Sequence, residues 1–200
     1  MKKNTIILIA VLGSIVILGI IIFSSFTSSY NGLVRMDEAV KSQWGNVETQ
    51  YQRRADLIPN LVATVKGYAT HEQTTLEGVI AARAKATQVT IDPTKITAEK
   101  LQEFQAAQGQ ISAALGRLIM LKETYPELKA DKNFIELQAQ IEGTENRISV
   151  ERTRFNESAQ EYNTAIRTFP RNIVASFGNF EAKPYFEADK TAEKAPTVKF

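Results

Sequence analysis

The sequence predicts an all-α protein in which an N-terminal transmembrane helix is followed by an elongated antiparallel bundle of about four helices. An uncharged apolar run at residues 6–23 predicts the transmembrane helix. In the rest of the chain, apolar residues recur three or four positions apart, which is the spacing of one buried helix face. The length of 200 residues is enough for one domain of ordinary size and an appendage.

The composition excludes several classes of site. The chain has no cysteine, which excludes disulfides and thiolate chemistry, and its single histidine leaves little material for metal ligation. Lys and Arg number 24 against 22 Asp and Glu, and the excess is Lys2 and Lys3, which precede the apolar run. The remainder is neutral and does not indicate a nucleic-acid-binding surface. We therefore predict no cofactor, no metal and no nucleic-acid partner.

Residues 6–23 form 18 positions without a charge or a proline. As a helix they span about 27 Å, close to the hydrocarbon core of about 30 Å. A cleaved signal peptide is the alternative, but its apolar stretch is about 7–15 residues and ends at an Ala-x-Ala-like site. The segment 24–29 is rich in serine and has no alanine. We interpret residues 1–29 as an uncleaved anchor with a short linker at 24–29, and the lipid bilayer as the partner of residues 6–23.

The charges beside the apolar run bear on its orientation. Lys2 and Lys3 precede it, whereas the basic residues that follow are offset by Asp37 and Glu38. The positive-inside rule then favours a cytoplasmic amino terminus and an exported bundle on the inner membrane of the cell.

Residues 30–170 are predicted to form the bundle, with helices at 30–68, 70–88, 97–124 and 131–169. Prolines delimit the later segments, since the residue before a proline avoids the helical region. The stripe of the last helix consists of Phe134, Leu137, Ile141, Ile148, Phe155, Tyr162, Ala165 and Phe169. Such one-sided helices are stable in water only when their apolar faces pack together.

The first and last bundle helices have similar predicted lengths of about 39 residues, or about 58 Å each. If they pack antiparallel over their whole length, the residue numbers at facing positions add to about 199. The two middle helices then fill the remaining sides of a rod.

Polar residues interrupt the apolar stripes of both long helices. Arg54 stands where the first helix calls for an apolar residue, and the antiparallel register places it opposite Glu145. Arg152 is the other inward charge, and the same register places it near Glu48. We predict an interhelical Arg54–Glu145 pair that is backed by Asp56 or Asn60. A buried pair of this kind favours one register, because breaking it leaves an uncompensated charge.

Two other interpretations of this polar cluster stay open. Its members are either half-exposed side chains whose stems cover the core, or a ligand site. The third helix also has a polar residue, Gln108, in phase with its apolar stripe.

Pro59 lies within an otherwise helical segment. A proline there frees the carbonyl one turn earlier and kinks the helix. The kink either opens a groove whose backbone carbonyls face a partner, or is fitted around the end of the shorter second helix.

Residues 171–200 are predicted to form a C-terminal arm that is disordered after about residue 188. Its aromatic residues are too irregularly spaced for a long helix and too apolar for a solvated linker. The arm either folds back over the bundle or presents these residues to the bilayer or a partner. The candidate residues for that contact are Phe177, Phe180, Tyr185 and Phe186.

Several segments together resemble the LemA family of bacterial membrane proteins. The segments are Arg54–Val62 (RADLIPNLV), Val65–Glu72 (VKGYATHE), Gly143–Ile148 (GTENRI), Arg152–Asn156 (RTRFN), Tyr162–Asn172 (YNTAIRTFPRN), Phe177–Phe180 (FGNF) and Pro184–Glu187 (PYFE). The resemblance covers about residues 1–187 and implies a single anchor and an antiparallel helical domain, with no established reaction. It also implies a genetic neighbourhood of membrane-protein quality control, including membrane metalloproteases. In some family members the domain is described as cytoplasmic, opposite to the orientation that the charges favour.

We expect a non-enzymatic, membrane-tethered scaffold or adaptor whose partner is an unidentified membrane or envelope protein, with a quality-control component as one candidate. Two alternatives stay open. One is an accessory ligand-binding or enzymatic domain that uses the polar cluster, and the other is a self-assembling membrane oligomer.

Overall fold

Helices account for nearly all of the architecture. The computed structural model describes the backbone of residues 3–187 and the side chains of residues 7–9 and 11–187. Over this range no strand occurs, which confirms the all-α class. The helices are α1 (Lys3–Tyr68), α2 (Gln73–Gln88), α3 (Ala98–Met120), α4 (Pro126–Ala130), α5 (Lys132–Arg167) and α6 (Arg171–Phe177), with a 3-10 turn at Leu121–Glu123. The disorder expected after about residue 188 lies outside the described residues.

Helix α1 is continuous from Lys3 to Tyr68, a length of 66 residues or about 99 Å. This corrects two expectations, a linker at 24–29 and a separate bundle helix beginning at residue 30. Residues 24–29 contain no proline or glycine, and Thr27 makes its hydrogen bonds within the helix. The Thr27 hydroxyl donates to the carbonyl oxygens of Phe23 at 3.1 Å and Ser24 at 3.0 Å. The apolar segment and the bundle therefore share one helix.

Helices α1 and α5 pack antiparallel along the length of the bundle. At one end the Tyr68 hydroxyl donates to Asp131 Oδ2 at 2.9 Å, and further along the ring centroids of Trp44 and Phe155 lie 5.8 Å apart. In each pair the residue numbers add to 199, so the antiparallel register counted from the sequence is present. Helices α2 and α3 form a hairpin that packs on α1 mainly through α2.

The core consists of two large apolar clusters and a small one. The distal cluster, far from the apolar segment, is centred on Ile58, Leu61, Val65, Val79, Ile111, Leu118, Phe134 and Ile141. The aromatic cluster lies nearer to the apolar segment and is centred on Val40, Trp44, Tyr51, Leu101, Phe104, Ile148, Phe155 and Phe186. The small cluster joins α6 to the bundle and contains Leu33, Ala165, Val174 and Ala175.

Pro59 lies inside α1, which is helical on both sides of it. A proline at this position leaves the carbonyl of Ala55 without its helical donor. Arg83 of α2 supplies the replacement, since its Nε donates to the Ala55 oxygen at 2.7 Å. The freed carbonyl is thus occupied by the second helix, which argues against a groove that offers it to a partner. The kink itself stays a prediction.

We expect Arg83→Ala to lower the free energy of unfolding by about 1–3 kcal/mol, because it leaves the Ala55 carbonyl unpaired in a half-buried site. In a Pro59→Ala background the new amide at position 59 can donate to the same carbonyl. The cost of Arg83→Ala should then fall below about 1 kcal/mol. Urea unfolding in detergent of the native chain, the two single variants and the double variant measures both losses. Equal losses from Arg83→Ala with and without Pro59 would contradict the pairing of Arg83 with the Ala55 carbonyl.

Candidate functional site

A polar layer separates the distal cluster from the aromatic cluster. Its centre is Arg54 of α1, whose side chain is only 1% exposed. Gln108 of α3 and Thr144 of α5 are also buried at this level, and Glu145 lies beside them. The layer thus draws one or more polar side chains from each of three helices. A buried charge at the meeting point of three helices penalises every register that would separate it from its partners.

The guanidinium group of Arg54 is held by α3 and α5 together. Its Nη1 donates to Glu145 Oε1 at 2.5 Å and to Ser112 Oγ at 2.9 Å. Its Nη2 donates to Gln108 Oε1 at 2.6 Å and to the Gln108 carbonyl oxygen at 3.2 Å. The Tyr51 ring centroid lies 5.2 Å from the guanidinium carbon, within range of a cation–π contact. This geometry combines a charge-assisted pair with neutral acceptors.

A cleft of about 750 Å³ opens between α3 and α5 beside the polar layer. Tyr51 and Arg54 of α1 line it together with residues of the two flanking helices. Glu145 is 39% exposed, so the acidic partner of Arg54 is in reach of solvent while the arginine is not. The remaining lining residues are Gln102, Gln105, Ala106, Gln108, Gly109, Ser112, Ala113, Ile148, Arg152 and Glu187.

Small residues of α3 leave the cleft open. A Cβ added at Gly109 would meet no atom within 4 Å, and Ala106 and Ala113 lie one turn to either side. The space is therefore available to a ligand or to a longer side chain. This property makes Gly109 a position from which the cleft can be filled by substitution.

Arg152 forms the end of the cleft nearest the aromatic cluster. Its Nη2 donates to the Glu187 carbonyl oxygen at 2.9 Å, and Gln105 Nε2 donates to the same oxygen at 3.2 Å. The guanidinium carbon of Arg152 lies 4.8 Å from the Phe186 ring centroid. Burial raises the pKa of Tyr51, and the charges of Arg152 and Arg54 oppose that rise. Arg152 therefore lines the cleft and contacts the C-terminal arm.

The side chains that line the cleft are largely hydrogen-bonding and charged. Glutamine amides donate and accept hydrogen bonds, and Arg152 offers a cation at the rim. Among the described residues no group of three or more His, Asp or Glu side chains could hold a metal ion. The arrangement suits a polar ligand that bears amide or anionic groups.

Asp56 and Asn60 do not join the layer, which corrects their predicted role as backing for the pair. Both are exposed, and Asp56 accepts a hydrogen bond from Gln52 Nε2 at 2.8 Å on the outer face of α1. Asp56 and Asn60 follow Arg54 by two and six residues. On a helix with 3.6 residues per turn these offsets rotate the side chains by about 200° and 240° from Arg54. Their side chains consequently point away from α3 and α5.

Sequence reasoning missed Gln108 and Ser112 as the backing residues. The signal for Gln108 was its phase, since it falls between Phe104 and Ile111 on the buried stripe of α3. Ser112 had no such signal, because it is an exposed residue at the edge of that stripe, one turn after Gln108.

The C-terminal arm is docked from Gly178 to Glu187. Asn156 and Asn163 of α5 each make two hydrogen bonds with its backbone. Asn156 accepts from the Phe186 amide at 2.8 Å and donates to the Phe186 oxygen at 3.0 Å, and Asn163 makes the same pair with Lys183 at 2.8 Å and 2.8 Å. Each asparagine side chain thus pairs with the backbone N–H and C=O of one arm residue, as a neighbouring β-strand would.

Docking of the arm buries two of the four aromatic residues that were candidates for contact with the bilayer or a partner. Phe186 is 6% exposed and stacks on Trp44 with ring centroids 6.0 Å apart. Phe180 is half-buried, at 5.5 Å from the Tyr30 ring centroid. Phe186 and Phe180 therefore belong to the packing of the bundle, as expected if the arm folds back, and are not available to a partner. Phe177 and Tyr185 remain exposed, at 77% and 44%.

Asp37 ties the arm to α1 electrostatically. Its carboxylate lies 2.8 Å from Lys183 Nζ and 2.7 Å from Lys41 Nζ. Burial by itself raises the pKa of Asp37, but the hydrogen bonds and charges of the two lysines outweigh it and lower the pKa below the ordinary value of 3.8. The stabilisation from Asp37 is hence present above that value and is lost as the pH falls through the lowered pKa.

We expect Asp37→Asn to destabilise the bundle at pH 7, and the difference from the native chain to shrink below about pH 4, where the Asp37 carboxylate of the unfolded chain begins to bind a proton while the native carboxylate is still ionised. Thermal unfolding in detergent, followed by circular dichroism from pH 7 to pH 3, measures the difference. The matched control is Asp56→Asn, since that carboxylate contacts Gln52 and not a lysine. A constant difference for Asp37→Asn across this range would contradict the assignment.

Comparison with known proteins matches the same region of the chain. The sequence profile of the LemA family matches residues 43–200. Magnetosome protein MamQ of Magnetospirillum gryphiswaldense is 27% identical, over 84% of this chain and 68% of the relative. Magnetosome protein MamQ 2 of Paramagnetospirillum magneticum is 26% identical with the same coverage, and protein LemA of Metamycoplasma hominis is 26% identical over 78% of this chain and 67% of the relative. The profile covers every residue that lines the cleft.

Proposed function

The chain belongs to the LemA family, and from this premise we propose that it is a non-enzymatic membrane-tethered scaffold. In this proposal the apolar start of α1 crosses a bilayer, and the remainder of α1 holds the bundle at a fixed height above it. The bundle then presents the cleft between α3 and α5 to a membrane or envelope protein. The orientation that accompanies the proposal is a cytoplasmic amino terminus with an exported bundle on the inner membrane.

The continuity of α1 is the observation that carries the proposal. Phe23 at the end of the apolar segment and Arg54 at the cleft lie on one helix, 31 residues or about 46 Å apart. A flexible linker would let the distance between the apolar segment and the bundle vary, whereas a single continuous helix fixes that distance along α1. A fixed offset between membrane and binding surface is what a scaffold requires.

The exposure of the apolar segment supports the bilayer crossing. α1 is the one helix in the described range that is long and apolar enough to cross a membrane. Its large apolar side chains from Ile7 to Phe23 are 51–70% exposed. A helix that is apolar all round is stable only when protein or lipid covers it. No described residue packs over this segment, so lipid is the covering that the proposal assigns.

The names of the relatives are compatible with a membrane setting. Two of them are called magnetosome proteins, and none of the names states a reaction.

A second candidate function is ligand binding in the same cleft. The observation that favours it is the access of Glu145 and Arg152 to solvent beside a buried arginine, since convergent polar groups in a concave opening are typical of ligand sites. Self-assembly of several copies is a third candidate, and the experiment below separates it from the first.

Photo-crosslinking in intact cells tests the scaffold proposal. A photoreactive amino acid replaces Gln102, which lines the cleft and is exposed, or Gln52 on the outer face of α1 as a control. The scaffold proposal predicts a discrete adduct with a different protein from position 102 and not from position 52. Adducts between identical chains alone would favour self-assembly, and the absence of any adduct specific to position 102 would contradict the proposal.

A matched pair of glycine variants on α3 sharpens this test. Gly109→Gln places a side chain in the cleft, whereas Gly116→Gln adds the same side chain to the same helix outside it. At either position the added Cβ meets no atom within 4 Å, so both variants should fold. The adduct from position 102 should be lost with Gly109→Gln and kept with Gly116→Gln.

A further inference from the structure

Helix α6 is the part of the bundle nearest to the apolar segment. α5 ends at Arg167, which the antiparallel register places beside Gly32 of α1. After α6 the arm returns away from the apolar segment, since Phe180 contacts Tyr30 and Lys183 contacts Asp37. The chain therefore reverses direction at α6.

The packing of α6 on α1 is close. Val174 and Ala175 are buried together with Leu33 of α1. At Gly178, where α6 ends, an added Cβ would lie 3.1 Å from Cε2 of Tyr30. The position of α6 relative to α1 is consequently well defined.

Exposed apolar side chains on and just before α6 form a patch, which we call the foot. Ile173 and Phe177 lie four residues apart on α6 and are 48% and 77% exposed, and Phe169, two residues before the helix, is 75% exposed. Two phenylalanines with three quarters of their surface in solvent are unusual for a water-soluble face. Arg167 and Arg171 are exposed beside the foot and add positive charge.

The end of the apolar segment lies close to the start of the arm that follows α6. Tyr30, which contacts the arm directly after α6, is seven residues beyond Phe23 and four beyond Phe26, or about 10 Å and 6 Å along α1. This is the depth of a headgroup layer, where aromatic rings and arginines are enriched.

We propose that the foot inserts into the headgroup region of the same bilayer that α1 crosses. The inference rests on the proposed crossing and adds a second attachment point to it. The occupant is lipid because the foot is apolar and lies near the height on α1 at which the apolar segment ends, and because the flanking arginines can pair with lipid phosphates. Two attachments on different helices fix the tilt of the bundle and its rotation about α1, which one helix alone would leave free.

Tryptophan quenching by brominated lipid tests the foot in the full-length chain. The native chain has one tryptophan, Trp44, which is 1% exposed and lies about 32 Å beyond Phe23 along α1, so it gives an unquenched background. Three variants are compared in vesicles of phosphatidylcholine and phosphatidylglycerol with and without bromine on the acyl chains. They are Phe177→Trp in the foot, Leu18→Trp in the apolar segment and Met120→Trp at the opposite end of the bundle, where Met120 is 70% exposed.

The inference predicts that Phe177→Trp and Leu18→Trp lose a several-fold larger fraction of their added fluorescence than Met120→Trp. If Leu18→Trp is quenched and Phe177→Trp matches Met120→Trp, the foot is overturned while the crossing stands. If the emission of Phe177→Trp is blue-shifted but unquenched, a second protein surface covers the foot, and the inference is again overturned. If Leu18→Trp is not quenched, the proposed crossing fails and the foot fails with it.

Discussion

Replacing Arg54 with alanine should lower the free energy of unfolding of the bundle by about 3–5 kcal/mol. The substitution removes four hydrogen bonds from a side chain that is 1% exposed. It leaves Glu145 without its cation and the Gln108 side chain without its donor, and it opens a cavity between the distal and aromatic clusters. Urea unfolding in mild detergent, followed through Trp44 fluorescence, measures the loss, because that single tryptophan is buried in the bundle.

Two companion variants separate the charge from the packing. Glu145→Ala should cost about 1–3 kcal/mol, because Gln108 and Ser112 still accept from Arg54 and water can reach the vacated position. Arg54→Met should cost less than Arg54→Ala, since it fills most of the volume with an apolar chain. A loss under about 1 kcal/mol for Arg54→Ala would show that the layer is a half-exposed surface feature.

Replacing Trp44 with alanine should also cost about 3–5 kcal/mol, the usual loss for a buried large aromatic residue. Its ring lies edge-on to Phe104 at 5.3 Å and to Phe155 at 5.8 Å, and it stacks on Phe186 of the arm. The substitution should thus destabilise the core and release the arm together. Circular dichroism follows unfolding, and limited proteolysis after residue 180 follows the arm.

The matched control for Trp44 is phenylalanine. The Trp44 Nε1 atom has no hydrogen-bond partner among the described residues, so Trp44→Phe removes no protein hydrogen bond and keeps a ring against Phe155. Trp44→Phe should lower the free energy of unfolding clearly less than Trp44→Ala does, and the arm should stay protected from proteolysis. Equal release of the arm by both substitutions would show that docking depends on the hydrogen bonds of Asn156 and Asn163 rather than on stacking.

The long helical segments of the bundle and the α1–α5 register could be predicted from the sequence because both follow from regular spacing, whereas the short helices α4 and α6 could not. Counting along two antiparallel helices is sufficient to bring Arg54 opposite Glu145, and the two residues are in contact. The predicted role of Asp56 and Asn60 is wrong because these residues are close to Arg54 in sequence but lie on the opposite face of the helix. The rotation alone would have placed them on the outer face.

The arm and the continuity of α1 could not be predicted in the same way. Asn156 and Asn163 bind a backbone, and backbone partners leave no pattern of residue types in the sequence. Serines and threonines at 24–29 are as common in linkers as at helix ends, yet in a helix Thr27 satisfies its own hydroxyl one turn back. The conformation of such segments depends on tertiary packing and local hydrogen bonding, and neither leaves a periodic pattern in the sequence.

In the proposed scaffold one rigid helix joins the apolar segment to the bundle. Because the chain has no cysteine, spin labels can be attached only where cysteines are introduced, at Phe23 and Gln52, both exposed on α1. These positions are 29 residues apart, or about 44 Å in a continuous helix. Ser28→Pro in the doubly labelled chain is the control, since a proline within the helix should broaden the distances.

Double electron–electron resonance on this chain in lipid nanodiscs measures the distance directly. A single narrow distribution near about 44 Å, broadened by Ser28→Pro, is the result that we predict. A broad or clearly shorter distribution in the unmodified background, unchanged by Ser28→Pro, would contradict a rigid helix between membrane and bundle.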